Sequence, residues 1–581
     1  MTTIEPTDQG FQRHGEPHLI ISGAVHYFRV HPDDWAHRLG LLAAMGCNTV
    51  ETYVVWNFHA PDPDTIDFTG WRDLSRFLTL AQEAGLDAIV RPGPYVCAEW
   101  EAGGFPGWLL ADPSMRLRVR DERYEAHVER WFDALIPVVA VHQADRGGNV
   151  VMVQVENEYG SFGDDTAHLE WLRDGLVARG ITELLVTSDG PGHQWLSGGT
   201  VDGATPTVNF GSRTAEVVDM CGRELPGQPM MCMEFWHGWF DHWGEQHHTR
   251  DAAEAAGELD TMLSNRMSVN FYMGHGGTNF ELWNGANHDG TRIQPTVTSY
   301  DYDAPISEDG RPTAKFHAFR EVIAKHRDLP ELVLPPEPAR LLGRQLEFSA
   351  LGSLQDTALW TREPEHDLPH PPTFEALGLH GGFVQLSRTV GLLDQEYPLR
   401  FHELHDRAHT YLDGEPLGSV NSWDESVATN LPGGRRDAAL EVLVESLGRI
   451  NFGPRLGEGK GVRGLWYGMR FLNGWQVRTW PLDRMGDDLA AETPATHRRL
   501  PLLGQVDLEV DEPGVGFIDT SGLGQGYCWV NGFLVGRYWS IGPGSTLHVP
   551  AGLWRGGTNR ITILELENDK PVIGLADEPR L

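Results

Sequence analysis

Two glutamates stand two positions apart at the end of an apolar run in VMVQVENEYGSFG, residues 151–163. Burying a carboxylate is costly unless it is paired or put to use, so a strand finishing in Glu156, Asn157 and Glu158 carries them for a reason. Side chains alternate along a strand, which puts Val151, Val153 and Val155 on one face and Gln154, Glu156 and Glu158 on the other. With the valines against a helix layer, the polar set faces a barrel interior. Glu156 is then expected one layer deeper, and Glu158 at the carboxyl-terminal mouth, where barrel enzymes place their catalysts. A second acid, Glu234, closes the run PMMCMEFW and precedes the aromatic string HGWFDHWG. Two carboxylates facing each other across a barrel mouth are the equipment for cleaving a glycosidic bond.

The elements that must position these acids are legible from the periodicity. HLIISGAVHYF, TVETYVVW, DAIVRPGPY, NVVMVQVENE, ELLVTSDG, TPTVNF, PMMCMEFW and MSVNFYMG read as eight strands. Amphipathic helical stretches lie between several of them. HPDDWAHRLGLLAAMG has Trp35, Leu39 and Leu42 at helical spacing, and GWRDLSRFLTLAQEAG has Trp71, Leu74, Leu78 and Ala81. Eight strand–helix alternations over about this length fit a (β/α)8 TIM barrel, and no GxGxxG opens a helix after the first strand to support a dinucleotide site. LPELVLPPEPAR, residues 329–340, reads as a linker, and the remainder of the chain is rich in short strands and glycine turns. YLDGEPLGSV and WVNGFLVGRY share a hairpin pattern, which points to two jelly-roll or β-sandwich modules. The expected organisation is a catalytic barrel over 1–328, an all-β domain over 329–484 and a jelly-roll domain over 485–581. Interleaving of the last two is left open.

Composition excludes several partners. The formal charge of −36 repels phosphate backbones and anionic lipid, so neither nucleic acid nor a membrane surface is expected as partner. The 20 tryptophans suit a protein that binds sugar rings, although core packing accounts for most tryptophans in any chain. No signal peptide or membrane-spanning run is recognised, and five scattered cysteines without CxxC spacing point to reduced thiols and a cytoplasmic location. Cys97 is read as a packed thiol. His237, Asp241, His242, His247 and His248 match no metal-binding signature, so they are assigned to loop structure and no metal or other cofactor is expected. Self-association is left open.

Six motifs carry a family resemblance: SGAVHYFRV, GCNTVETYVVWNFHAP, RPGPYVCAEWEAGGFPGWLL, VMVQVENEYGS, MEFWHGWFDHWG and the segment from GGTNFELWNGAN to TSYDYDAPISEDG. Together, and in this order, they resemble the glycoside hydrolase family 35 β-galactosidases, and VNGFLVGRYW resembles that family's jelly-roll module. The resemblance implies a retaining exo-β-galactosidase with Glu158 as general acid/base and Glu234 as nucleophile. It implies a neutral sugar substrate, with Asn157 at its 2-hydroxyl and Tyr53, Ala98, Glu99 and Tyr302 lining the galactose pocket. Two positions depart from the family pattern, Trp236 where tyrosine is common and Leu282 where an aromatic is common. Both are expected to face the pocket and to bear on which sugar is taken. An exo-β-glucosaminidase of the same fold is the enzymatic alternative, and a non-catalytic carbohydrate-binding homologue the alternative of another class.

Overall fold

The computed structural model describes residues 2–494 and 497–581. Strands β1 (Ile21–Val25), β2 (Thr49–Tyr53), β3 (Asp87–Arg91) and β4 (Val150–Gln154) pair side by side in parallel. They continue through β5 (Leu184–Asp189), β6 (Thr205–Phe210), β7 (Met231–Trp236) and β8 (Ser268–His275). Pairing of β8 with β1 closes the barrel. All eight stretches read as strands take their places in sequence order. The deep end is filled by Ile89, Met152, Val186, Met231 and Met233, which pack with Ile4 and Phe11 of an amino-terminal hairpin.

The helices form where local signals place them. Helix Trp35–Met45 buries Trp35, Leu39 and Leu42 and stops at Gly46, whose φ of 112° is open to glycine and strained for other residues. Helix Leu74–Glu83 is capped by Asp73, whose side chain accepts the N–H of Arg76. It begins later than the apolar stripe suggests. Trp71 lies outside it, in a short 3-10 turn, and stacks on Phe533 of the carboxyl-terminal module at 5.2 Å. An indole that large satisfies more area between two modules than on a short helix.

Beyond the barrel the chain is all-β. Two sheets, built from strands between His366 and Trp480, form a middle module. Strands Arg344–Leu346 and Ala350–Ser353 precede it in sequence but do not join it. They pair with Val572–Ala576 and Leu502–Val510 of the carboxyl-terminal module. The stretch from 329 to 484 is therefore not one structural unit: its first strands belong to the module that ends the chain. The two look-alike hairpins are real in geometry. Asp413–Gly414 and Asn531–Gly532 form tight turns with all four φ positive, as a right-twisted two-residue hairpin requires. All five cysteines are free, and among the described residues no helix is long and apolar enough to cross a membrane.

Candidate active site

Eight residues singled out from sequence, Glu158, Glu234, Tyr53, Ala98, Glu99, Asn157, Trp236 and Tyr302, all line one cavity of ≈ 260 Å³ at the carboxyl-terminal mouth of the barrel. Tyr53 and Glu234 sit within the ends of β2 and β7, and Asn157 and Glu158 lie just beyond β4. A cavity this size with few convergent polar groups has room for about one sugar ring.

Glu234 is the better held of the two acids. The guanidinium of Arg91 lies 2.7 Å from its Oε1, the Tyr53 hydroxyl donates to the same oxygen at 2.8 Å, and the Trp236 indole N–H donates to Oε2 at 3.0 Å. An arginine is always charged, and a fully buried one holds its carboxylate partner by charge as well as by hydrogen bonding. Arg91 also donates to Gln154 and to the side-chain oxygen of Asn157, both at 2.7 Å. Its ring-face partner is Tyr53, at 4.0 Å. Glu234, Asn157 and Tyr53 are thus one rigid set, tied from β2, β3, β4 and β7. Arg91 is the centre of the set; it opens the motif RPGPYVCAEW, yet the sequence assigned it no role, because only the barrel brings it under Glu234. Below it Glu51 lies fully buried, raised to about 7 by burial against the opposing pull of Arg91.

Glu158 has a different environment. Asn209 of β6 donates to its Oε1 at 3.1 Å, and Asn209 is itself held by the Ser188 hydroxyl at 2.6 Å. Among the described residues no cation contacts it directly. Burial, and next the negative charge of Glu234, push Glu158 up to about 7. One carboxyl is clamped by a buried cation and the other is raised to about 7, which divides the roles of nucleophile and acid between them.

Glu158 does not reach the mouth by strand alternation. Regular β4 ends at Gln154, and Glu156 and Glu158 both have left-handed backbones, with φ of 57° and 46°. The expected placement of Glu156 is corrected accordingly. It is not a layer deeper in the barrel: it leaves the axis and takes Arg118 in a two-pronged ion pair at 2.9 and 2.8 Å. Both partners are buried, and Arg118 lies over the Tyr95 ring at 3.7 Å. Replacing Glu156 by glutamine leaves that guanidinium uncompensated. The expected result is a loss of roughly 3–5 kcal/mol of stability in denaturant unfolding, with ligand affinity of the cavity unchanged.

Cys97, Ala98 and Glu99 form a run of three left-handed residues, φ 56°, 56° and 49°, that brings Glu99 into the cavity. Such a run needs outside support. Arg29 donates to the Ala98 carbonyl at 2.5 Å, and Tyr300 donates to Glu99 at 2.5 Å. Burial raises Glu99 to about 7 in spite of that bond. From the middle module, Arg449 pairs with Glu101 at 2.6 Å and Asn451 donates to the Cys97 sulfur at 3.6 Å.

Of the two departures, Trp236 is in the cavity and Leu282 is not. Leu282 is buried with Leu354, Phe383, Trp480 and Trp529 where the barrel meets both β modules. A left-handed turn at Glu281 (φ 55°) sends it outward, and its neighbour Trp283 turns in to stack on Trp100 at 5.4 Å. Leu282 therefore does not face the sugar cavity, contrary to the expectation from sequence. The histidine string serves its loop: Asp241 accepts from His247 at 2.7 Å and from His248 at 2.8 Å, and His237 contacts the Met273 carbonyl. Sequence reasoning missed Tyr272, Trp239 and Phe452 in the cavity wall. Trp239 lies within MEFWHGWFDHWG and could have been found there, but Phe452 comes from the middle module, and nothing local marks it.

Known proteins show the same division of the chain. Residues 10–326 match the family described as Glycosyl hydrolases family 35, residues 371–483 match "Beta-galactosidase, first all-beta domain", and residues 501–559 match "Beta-galactosidase, galactose-binding domain". The chain is 38% identical to the beta-galactosidase-1-like protein of Mus musculus over 98% of its own length and 90% of that protein's. It is 38% identical to a beta-galactosidase of Xanthomonas manihotis (93% and 90% of the two chains) and 37% identical to that of Bos taurus (96% and 89%).

Proposed function

The chain belongs to glycosyl hydrolases family 35, and from that premise we propose that it is a retaining exo-β-galactosidase in which Glu234 is the nucleophile and Glu158 the general acid/base. The observation that carries the reading is the asymmetry of the two carboxyls in one cavity. Glu234 is clamped by Arg91, Tyr53 and Trp236, and Glu158 is raised to about 7 by burial and by Glu234.

In the first step a Glu234 oxygen attacks the anomeric carbon while the bond to the leaving oxygen breaks. Glu158 gives its proton to that oxygen, so the leaving group departs as an alcohol. Glu234 is then an ester, Glu158 an anion, and the share of its elevation that the Glu234 charge added to burial is gone. The fall in its proton affinity during the first step is what drives the proton across. In the second step Glu158 takes a proton from water, the water oxygen attacks the anomeric carbon, and the ester bond breaks. Asn157 holds its oxygen toward Arg91 and Tyr53 and one amide N–H toward the Val96 carbonyl at 3.4 Å, which leaves its other N–H as the donor for a sugar hydroxyl. Such a bond strengthens as the ring gains oxocarbenium character.

Direct attack leaves no space for water between Glu234 and the sugar, and two inversions restore the starting configuration. NMR of a fresh reaction is expected to show β-galactose before mutarotation. A 2-deoxy-2-fluoro galactoside with a good leaving group is expected to label Glu234, as read by peptide mapping. First appearance of the α anomer, or a label elsewhere, would overturn the assignment.

A further inference from the structure

A second cleft, of ≈ 920 Å³, opens beside the catalytic cavity on the same face of the barrel. Its walls come from the loops after β5, β6 and β7 and from helix Thr214–Glu224. Trp236 and Trp239 line both spaces. The cleft reaches Asn209, which holds Glu158, and Trp236, which holds Glu234, and neither acid lines it. A glycosidic oxygen leaves from the side of the group that protonates it. Asn209 carries the cleft wall up to Glu158, and Trp236 and Trp239 border both spaces, so a group that leaves galactose past them enters this cleft.

The lining suits a chain of sugar rings. Trp195 is half-buried with one indole face flat on the backbone: a Cβ added at Gly190 or Gly192 would stand 3.1 Å from its ring. Among the described residues no aromatic ring stacks on it, which leaves the cleft side as an apolar platform. Val217 and Met220 continue that floor. At the rim, donors stand next to acceptors, with Arg250 3.1 Å from Glu254 and Arg213 3.7 Å from Glu216. Flat apolar faces bordered by alternating donors and acceptors match pyranose rings with vicinal hydroxyls.

We propose that this cleft is a binding groove for the saccharide on the leaving-group side, so that the favoured substrates are oligosaccharides longer than a disaccharide. The proposal rests on the assignment of the catalytic cavity. Its test compares kcat/KM on nitrophenyl β-galactoside with a series of linear β-galactosyl-terminated di-, tri- and tetrasaccharides. The wild type is expected to gain roughly five- to tenfold from disaccharide to tetrasaccharide, the scale of one good aromatic contact. Trp195→Ala, which removes the platform, is expected to abolish that gain while nitrophenyl galactoside hydrolysis stays within about twofold of wild type. Ser212→Trp, an exposed position on the lip, is expected to do the same by obstruction. A flat length series alongside normal nitrophenyl hydrolysis would overturn the groove and leave the catalytic assignment standing. A gain that survives both substitutions would overturn it equally. Absence of nitrophenyl galactoside hydrolysis in the wild type would sink the catalytic reading itself.

Discussion

Glu234→Gly is expected to lose roughly 10⁴-fold or more in kcat on every galactoside, good leaving group or poor, since no other group can form the ester. The loss follows from geometry: Arg91, Tyr53 and Trp236 converge on this carboxylate alone. The vacated space next to Arg91 should admit a small anion. Added azide can then attack the anomeric carbon once, with inversion, and the product should be α-galactosyl azide. Arg91, left with a buried charge and a weakened network, should also cost the variant stability. Formation of the β-azide, or turnover within tenfold of wild type, would show that another residue is the nucleophile.

Glu158→Ala should produce the contrasting pattern. Loss of a general acid costs about 10²–10⁴-fold where the leaving group needs a proton, and far less for a dinitrophenolate, which does not. Azide should now rescue the second step by taking the place of water, giving β-galactosyl azide. The pH profile offers a second signature. Glu158 acts as acid only while protonated, so kcat/KM of the wild type should fall as pH rises through about 7. Glu51 and Glu99 are also raised to about 7, so the diagnostic result is disappearance of that alkaline limb in Glu158→Ala. Stability should move in the same direction. All three folded values lie above the unfolded one, so their contribution is full below the unfolded value and fades as pH passes through about 7.

The architecture and the two acids were legible because they rest on local patterns. Eight apolar runs with glycine and proline punctuation fit a barrel better than an open sheet, and strand ends are where barrel chemistry sits. What the sequence did not disclose depended on backbone angles or on distant chain. Glu156 and Glu158 look equivalent by alternation, yet two left-handed residues rotate one onto Arg118 and leave the other in the cavity. Leu282 sits in a motif whose other members face the site, and a single left-handed turn takes it into the inter-module core. Arg91 reads as an ordinary strand-end cation until the barrel sets it beneath Glu234. Phe452 could not be found without knowing that the middle module folds over the barrel mouth.

The split origin of the carboxyl-terminal module sets an order of assembly during synthesis. Strands Arg344–Leu346 and Ala350–Ser353 leave the ribosome immediately after the barrel, but their partners begin only at Leu502. At typical elongation rates that interval is on the order of ten seconds, during which two nascent edges wait unpaired. The middle module, whose strands all lie between His366 and Trp480, can close within the interval and place Arg449 and Phe452 over the barrel. The catalytic mouth is then finished before the last module exists, and the waiting strands are the chain's most exposed point for misassociation. A transcript cut short after the middle module should yield a chain retained by chaperones, with its sugar cavity formed and those two strands still searching for a sheet.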